Sequence, residues 1–249
     1  MARISVRRLL GKLAGSFGRE IYYEALSAWS RPSFAPKDVD YDEYWRRREF
    51  IAVQPRYQPM TDMVDSGASV LDVGCGDGGF LCYLKARKEV HELGIDVAGP
   101  AVDSCSERGL NVRRTTLFDL AAECASAERR FDIVVISEVI EHVPNSEDFL
   151  RTAWALTGKR LIISFPNIAF WPHRLRLMLG RYPVQWLHFQ AEHLRFWSLT
   201  DFRDWLAAMA LPGAHMVPEV VPTTGTTRFR LHERWPNAFA NQILVVINR

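Results

Sequence analysis

Short apolar runs alternate with amphipathic segments along most of this chain. Beyond Gly67, seven runs rich in β-branched residues predict strands, and the stretches between them carry apolar residues at helical spacing. The predicted strands cover residues 69–73, 90–95, 111–115, 131–136, 160–165, 215–221 and 242–247. Several of them, such as IVVI, LIISF and ILVVI, are nearly all apolar, which is typical of strands covered by helices on both faces. The pattern predicts an α/β fold with a mostly parallel, doubly wound sheet.

The beginning of the chain departs from this alternation. Residues 1–20 contain five basic residues and one acidic residue, and their apolar residues recur at helical spacing (Val6, Leu9, Leu10, Leu13 and Phe17). Such a helix either contacts an anionic membrane surface, packs on the domain or remains a mobile arm. The proline-containing stretch SRPSFAPKD reads as a linker, and aromatic positions in 41–63 predict helices over one edge of the sheet. We therefore predict an arm and linker at 1–35 and one domain at 36–249.

Composition narrows the class of protein. A chain of 249 residues with 48% hydrophobic content can bury a full core, and its net charge of +2 favours a small-molecule site over nucleic-acid binding. The apolar runs are too short to cross a bilayer or to act as a secretory signal. The four cysteines form no CxxC pair and show no zinc-site spacing, so no disulfide framework or metal is predicted. A reducing cytoplasmic location is expected.

A glycine-rich turn follows the first predicted strand, in VLDVGCGDGGFLCYL. Glycines allow a sharp turn and a close approach of a nucleoside to main-chain N–H groups, although Gly74, Gly76 and Gly79 also satisfy a dinucleotide-binding pattern. Asp72 can hold the turn or reach the ammonium group of an amino-acid-bearing ligand, and it would repel a pyrophosphate. Asp96, at the end of the second strand, can accept both ribose hydroxyls of NAD or of S-adenosylmethionine. A nicotinamide-dependent oxidoreductase is disfavoured by Asp72 and by the lack of a Tyr-x-x-x-Lys pair.

The motifs VLDVGCGDGGF, GID, LFDL and SEVIEHV resemble the successive motifs of class I S-adenosylmethionine-dependent methyltransferases over residues 70–143. The resemblance implies a Rossmann-like sheet of seven strands in the order 3-2-1-4-5-7-6, with the last strand antiparallel and S-adenosylmethionine as cofactor. By the resemblance, the methionine part contacts Asp72, Gly74, Cys75 and Gly76, and the ribose contacts Asp96. The other implied cofactor contacts are Val97, the adenine edge at Phe118, Asp119 and Leu120, and Ser137 closing the pocket. For each acid, the alternative is a solvated strand-end carboxylate or a helix cap.

Arg56 precedes the first strand in VQPRYQPM. Its position is similar to that of an arginine that grips the cofactor carboxylate in quinone-type O-methyltransferases, and a guanidinium suits that task. The spacing is slightly shorter here, so an ordinary surface arginine is the alternative.

Three polar residues, Glu138, Glu141 and His142, come directly after the fourth strand in SEVIEHVPN. The carboxyl edge of an open α/β sheet is where sites form, so we predict that these residues are catalytic, with His142 as the base that takes the acceptor's proton. They also resemble the E-x-x-E-H arrangement that is implicated in holding a divalent cation in quinone O-methyltransferases. The alternative is that they cap and orient the next helix, and no metal is assigned from the sequence.

An insertion at about 168–197 has the position of a substrate cap. With its flanks it resembles the MetW-like branch over 161–206, from SFPN to HLRFWSLTDF. Its aromatic residues either wall the acceptor site or pack on the sheet, and these are Phe170, Trp171, Tyr182, Trp186 and Phe189. Polar contacts would come from His173, Arg174, Arg176 and His188, while His193 and Ser198 are expected to organise the loop and cap the helix from Leu199.

These observations predict an S-adenosylmethionine-dependent methyltransferase (EC 2.1.1.-) acting on an O or N atom of a small acceptor, and the aromatic cap suits a hydrophobic or ring-bearing one. The alternative implied by the MetW-like resemblance is a regulatory partner of a homoserine acyltransferase in methionine biosynthesis, with little turnover of its own. Residues 41–48 are not part of that resemblance. No nucleic-acid partner is predicted, and the oligomeric state is left open.

Overall fold

The computed structural model describes residues 40–48, 50, 53–125, 129–183, 193–225 and 230–249, with the side chains of 216–225 excepted. The proposed basic arm at 1–20 and the linker after it lie outside the described residues. Among the described helices, none combines the length and apolar character needed to cross a bilayer.

A seven-stranded sheet forms the centre of the domain. Its strands are β1 (Ser69–Val73), β2 (His91–Asp96), β3 (Val112–Arg114), β4 (Phe131–Ser137), β5 (Thr157–Pro166), β6 (His215–Gly225) and β7 (Ala240–Asn248). The strand order is β3-β2-β1-β4-β5-β7-β6. β7 runs antiparallel to both β5 and β6, whereas the pairings among β1 to β5 are parallel. The predicted fold class, strand order and antiparallel last strand are confirmed.

Strand ends differ from the prediction mainly in the second half of the sheet. β5 begins at Thr157, three residues before the predicted start, and β6 continues to Gly225. Both extensions are polar or mixed in sequence and pair with a neighbouring strand, Thr157 with Phe131 and Gly225 with Ala240. Apolar content marks where a strand is buried, not where its hydrogen bonding ends.

Helices cover both faces of the sheet. Those before β4 are α1 (Tyr41–Arg47), α2 (Tyr57–Asp62), α3 (Gly79–Lys85), α4 (Gly99–Glu107) and α5 (Leu117–Ala125). The later ones are a 3-10 helix (Ile140–His142), α6 (Ser146–Leu156), α7 (Trp171–Met178), α8 (Leu199–Met209), α9 (Leu231–Arg234) and α10 (Pro236–Phe239). Ser198 begins α8 in a reciprocal capping pair with Asp201, as the sequence predicts.

Alternate residues of the central strands enter two separate cores. Leu71 and Val134 join a core with residues of α5, α6 and α8, whereas Val70 and Ile133 join a second core with residues of α2 and α3. Because successive side chains of a strand point to opposite faces, a strand buried on both sides is apolar at most of its positions. The two cores fix the sheet rigidly, and the parallel strands β1, β2 and β4 present their carboxyl ends at one edge.

Candidate functional site

The glycine turn after β1 needs residues without a side chain. Gly74, Gly76 and Gly78 have φ angles of +71°, +55° and +79°, in the left-handed region that favours glycine. The turn is fastened to β2, because the N–H groups of Gly74 and Cys75 both donate to the carbonyl oxygen of Ile95, at 2.8 and 3.0 Å. A Cβ at Gly74 would lie 2.5 Å from Cγ2 of Val139, so the loop after β4 packs directly on the turn.

Asp96 at the end of β2 holds this turn in place. One carboxylate oxygen accepts a hydrogen bond from the Gly76 N–H and the other from the Ala98 N–H, both at 2.9 Å. A carboxylate offers about four acceptor positions, so these two bonds leave lone pairs for a ligand's hydroxyl groups. Burial raises the pKa of Asp96, and the main-chain hydrogen bonds oppose that rise.

Asp72, the fourth residue of β1, is only 2% exposed. Burial is the largest cause that raises its pKa, to about 7, and the nearby Asp96 carboxylate raises it further while Arg56 lowers it. The two buried carboxylates therefore repel each other at the end of adjacent strands. A positively charged ligand placed between them would relieve that repulsion.

We expect Asp72→Asn to make the ligand-free protein more stable at pH 8. The pKa of Asp72 is raised in the folded state, so folding is penalised above the unfolded value of 3.8, and the penalty is complete once pH exceeds about 7. The difference corresponds to about 4 kcal/mol. A buried amide keeps part of that cost, so a gain of about 1–2 kcal/mol is expected at pH 8 and little gain at pH 4. Urea unfolding at both pH values measures it, and equal gains at both would contradict the prediction.

Arg56 lies beside the end of β4 and not on an open surface. Its Nε donates to Oγ of Ser137 at 2.8 Å, and its guanidinium also contacts the side chain of Gln54. Ser137 in turn lies 3.2 Å, Oγ to Oγ, from Ser164 of the neighbouring strand β5. Arg56, Ser137 and Asp72 thus come together from three parts of the chain.

Val97 and the three residues implied at the adenine edge differ in their exposure. Val97 and Phe118 are 51% and 47% exposed, which leaves apolar surface for a planar group, whereas Leu120 is buried in the core. Asp119 accepts a hydrogen bond from the Thr116 hydroxyl at 2.6 Å, and its N–H donates to the same hydroxyl at 3.1 Å. Asp119 therefore takes part in a capping arrangement at the start of α5, the alternative considered for this acid.

Glu138, Glu141 and His142, hereafter the acceptor-side group, do not share one environment. Glu138 adopts a left-handed φ of 56°, which is strained for a residue with a side chain, and its carboxylate accepts a hydrogen bond from Ser164 Oγ at 2.9 Å. Glu141 is 1% exposed, and both of its carboxylate oxygens lack a hydrogen-bond partner. Burial, and then the nearby Glu138, raise the pKa of Glu141 well above its ordinary value.

His193, near the end of the cap insertion, lies beside His142. Its ring centroid lies 4.7 Å from that of His142, with the two rings nearly perpendicular. The Leu194 and Arg195 N–H groups both donate to the Glu141 carbonyl oxygen, at 2.8 and 3.1 Å. Burial, and then the neighbouring His142, lower the pKa of His193 to about 3, so its ring is neutral. The sequence predicted only a loop-organising role for His193, because its separation of about 50 residues from His142 gives no sign of their contact.

Helix α1 contributes two residues that the sequence also missed. A Cβ at Gly76 would lie 2.5 Å from Cζ2 of Trp45, so this indole rests on the glycine turn. Asp42 accepts a hydrogen bond from the Gly99 N–H at the start of α4, at 3.0 Å, and faces Arg114. The sequence predicted helices at the sheet edge here, and the position of Trp45 over the turn follows only from the packing of α1 on α4.

Gly76→Ala is expected to destabilise the protein by about 2–3 kcal/mol. A left-handed alanine costs roughly 1 kcal/mol, and displacing Trp45 adds a packing cost. Gly109→Ala is the matched control, because Gly109 has a φ of +71° but a Cβ there meets nothing within 4 Å. Equal losses for the two variants in urea unfolding would show that the Trp45 contact contributes nothing.

Several side chains in the described part of the cap are buried. Phe170, His173 and Arg176 are each at most 3% exposed, whereas Tyr182 is 49% exposed. The cap returns to the sheet through a bridge between Asn167 and Trp197. For Phe170, packing is the observed arrangement; Trp186, His188 and Phe189 lie outside the described residues.

The fold of this chain is similar to that of a solved structure. A crystal structure of a SAM-dependent methyltransferase from Archaeoglobus fulgidus superposes with a TM-score of 0.56 at 16% identity, covering 78% of this chain and 91% of that one. At this identity the likeness shows the fold, which is the methyltransferase fold expected from the sequence.

Curated relatives match parts of the chain. A ubiquinone biosynthesis O-methyltransferase from Azorhizobium caulinodans is 34% identical over 129 residues, which is 49% of each chain. A bifunctional methionine biosynthesis protein MetXA/MetW from Rhodopirellula baltica is 27% identical over 169 residues, which is 61% of this chain and 26% of that protein. The chain spans from 21% to 49% of the length of the curated relatives that match it first.

The family model described as methionine biosynthesis protein MetW matches residues 54–247. The match runs from just before Arg56 to the end of β7 and includes the glycine turn, the acceptor-side group and the cap. It leaves out α1. This confirms the predicted resemblance, and the chain belongs to the MetW family.

Proposed function

We propose that this protein is an S-adenosylmethionine-dependent methyltransferase that transfers a methyl group to an O or N atom of a small acceptor. The observation that carries the proposal is the pair of buried, mutually repelling carboxylates, Asp72 and Asp96, at the glycine turn. A cofactor with a sulfonium and an ammonium group relieves their repulsion, whereas the pyrophosphate of a dinucleotide would increase it.

The methionine end of the cofactor is proposed to meet two opposite charges. Its ammonium group would face Asp72, and its carboxylate would face Arg56, whose Nε bond to Ser137 orients the guanidinium. The ribose hydroxyls would bind Asp96, which the Gly76 and Ala98 N–H groups hold in position. Val97 and Phe118 would cover the adenine through their exposed apolar surface, with the exposed Asp119 at its edge, whereas the Leu120 side chain is buried in the core.

The acceptor is proposed to lie at the acceptor-side group, beyond the end of β4. Methyl transfer from a sulfonium needs mainly alignment of the acceptor and removal of its proton. His142 is the proposed base, with the carboxylates of Glu138 and Glu141 close by. The relatives named as ubiquinone O-methyltransferases favour a ring-bearing hydroxyl compound as the acceptor class.

Two measurements test this proposal. Calorimetry with S-adenosylhomocysteine and separately with NADH should give binding of the first and none of the second. Labelled S-adenosylmethionine should then be incubated with a panel of quinols, sugars and lipid extracts, with methyl incorporation expected for at least one class. Binding of NADH without S-adenosylhomocysteine would refute the proposal.

A second candidate function is favoured by the family match and by the MetXA/MetW relative. In it, the chain acts as a regulatory partner of a homoserine acyltransferase and binds the cofactor without much turnover. Cofactor binding with no methyl incorporation across the panel, together with a stable complex with the acyltransferase, would favour this candidate. Methyl incorporation at a rate that depends on the acceptor-side group would favour the enzyme.

A further inference from the structure

The resemblance to quinone O-methyltransferases implies a divalent cation on the E-x-x-E-H residues Glu138, Glu141 and His142. The structure provides a test of that ligand set. The Glu138 carboxylate accepts the Ser164 hydroxyl hydrogen bond and follows a left-handed backbone turn. Within the described residues, the metal-compatible group is instead Glu141, His142 and His193, with one ligand atom from each lying within 4.8 Å of the others. The ligand set implied by the motif and the group found in the structure share only Glu141 and His142.

Glu141 supplies the independent indication of a ligand. It is 1% exposed, and neither carboxylate oxygen has a hydrogen-bond partner; His142 Nε2 is 3.9 Å from Oε1. An unpartnered polar group at this depth costs roughly 1–3 kcal/mol, and buried carboxylates are retained in proteins where they bind a partner or a metal. The carboxylate and the two imidazoles therefore bring one ligand atom each close enough together to share a cation.

We propose that a divalent transition-metal ion binds to Glu141, His142 and His193, and that His193 takes the place the sequence motif gives to Glu138. Two imidazoles and one carboxylate suit Fe²⁺, Co²⁺, Ni²⁺ or Zn²⁺, whereas Mg²⁺ and Ca²⁺ require mainly oxygen ligands. Ligand atoms about 2.1 Å from a tetrahedral cation lie about 3.4 Å apart, so these ligand atoms, now within 4.8 Å of one another, would move closer by up to about 1.4 Å on binding.

The chain holds His193 where this ligand set requires it. The Leu194 and Arg195 N–H groups both bind the carbonyl oxygen of Glu141, which fixes the backbone beside His193 to the 3-10 helix. The Arg195 guanidinium also binds the Pro144 carbonyl oxygen and the Glu147 carboxylate, at 3.0 and 3.2 Å. Two ligands that are adjacent in sequence and a third held by these bonds form a site built on the scaffold rather than on a free loop.

This inference deepens the proposed function and rests on it only for the use of the cation. With the ion bound, His142 would be a ligand and the ion would polarise the acceptor oxygen or nitrogen; without the ion, His142 keeps the role of base given to it in the proposed function. Binding of the ion itself depends on neither the methyl acceptor nor the cofactor.

Cobalt(II) is the probe, because its visible d–d absorption reports coordination directly. Wild-type protein is expected to bind one Co²⁺ with a d–d spectrum, and Zn²⁺ is expected to displace it. His193→Ala and the isosteric Glu141→Gln are expected to weaken Co²⁺ binding at least about 100-fold. Glu138→Gln and His91→Ala, the latter at an exposed histidine at the start of β2, are expected to keep it. Circular dichroism and S-adenosylhomocysteine binding verify that each variant is folded.

Three results would overturn the inference: no Co²⁺ binding by the wild type, binding unchanged in His193→Ala, or binding lost in Glu138→Gln. Co²⁺ binding without methyl transfer would count against the proposed function alone. Methyl transfer without Co²⁺ binding would count against the metal site alone.

Discussion

Asp96→Ala should weaken S-adenosylhomocysteine binding by about 100-fold or more. The carboxylate accepts the Gly76 and Ala98 N–H hydrogen bonds that shape the glycine turn, and we propose that it also accepts the ribose hydroxyls. Hydrogen bonds to a charged group contribute about 1.5–3 kcal/mol each, and every 1.4 kcal/mol is tenfold in affinity. The variant loses the ligand contacts and loosens the turn. Isothermal titration calorimetry measures the change.

Asp96→Asn gives an intermediate test, because an amide keeps one acceptor oxygen but cannot accept both N–H groups and lacks the charge. We expect its affinity to fall between those of the wild type and the alanine variant. Asp103→Ala, at an exposed acid on α4, is the matched control and should bind as the wild type does. An Asp96→Ala protein that is folded and binds within about threefold of the wild type would remove Asp96 from the cofactor site.

His142→Ala should lower methyl incorporation by at least about 100-fold while leaving S-adenosylhomocysteine affinity within about twofold. General-base catalysis contributes roughly 10²–10⁴-fold, and His142 lies in the 3-10 helix after β4, away from the glycine turn. The measurement is the incorporation rate with the acceptor that gives the highest wild-type rate, together with calorimetry. Loss of a metal ligand would have the same direction, so the Co²⁺ spectrum of this variant separates the two roles.

His91→Ala is the control for His142→Ala, because it removes an imidazole from the opposite end of the sheet. It should retain wild-type incorporation and binding. An unchanged rate in His142→Ala would contradict its place in the acceptor-side group, and an equal loss of cofactor affinity would assign it to the cofactor site instead. The Asp96→Ala variant should thus lose cofactor affinity, whereas the His142→Ala variant should lose methyl incorporation.

The confirmed parts of the sequence prediction have a common cause. Strand segments such as 133–136 and 243–247 are apolar at every position, which is typical of strands buried on both faces, so the mostly parallel sheet could be predicted from the sequence. The glycines at 74, 76 and 78 mark a turn that needs positive φ, which few other residues adopt. Residues close together in sequence and bound to one strand end, such as Asp72 and the turn, are therefore predictable together.

The assignments that left two roles open involved single polar residues. Asp119 has a role in the Thr116 capping arrangement, and nothing in LFDL separates that role from adenine binding. The slightly shorter spacing of Arg56 left a cofactor arginine and an ordinary surface arginine both open, and its bond to Ser137 depends on the approach of α2 to the end of β4. Local sequence gives the chemistry of such a side chain but not its neighbour.

The sequence by itself determined the layered α/β fold, the order of its elements and the place of the glycine turn, because hydrophobic period and glycine φ preferences act over a few residues. Only the tertiary structure decided that Trp45 covers Gly76, that Glu138 turns to Ser164, and that His193 meets Glu141 and His142. These contacts join segments up to about 50 residues apart, and their geometry is set by how the cap and α1 pack on the finished sheet. The hydrophobic period of the sequence does not predict that packing.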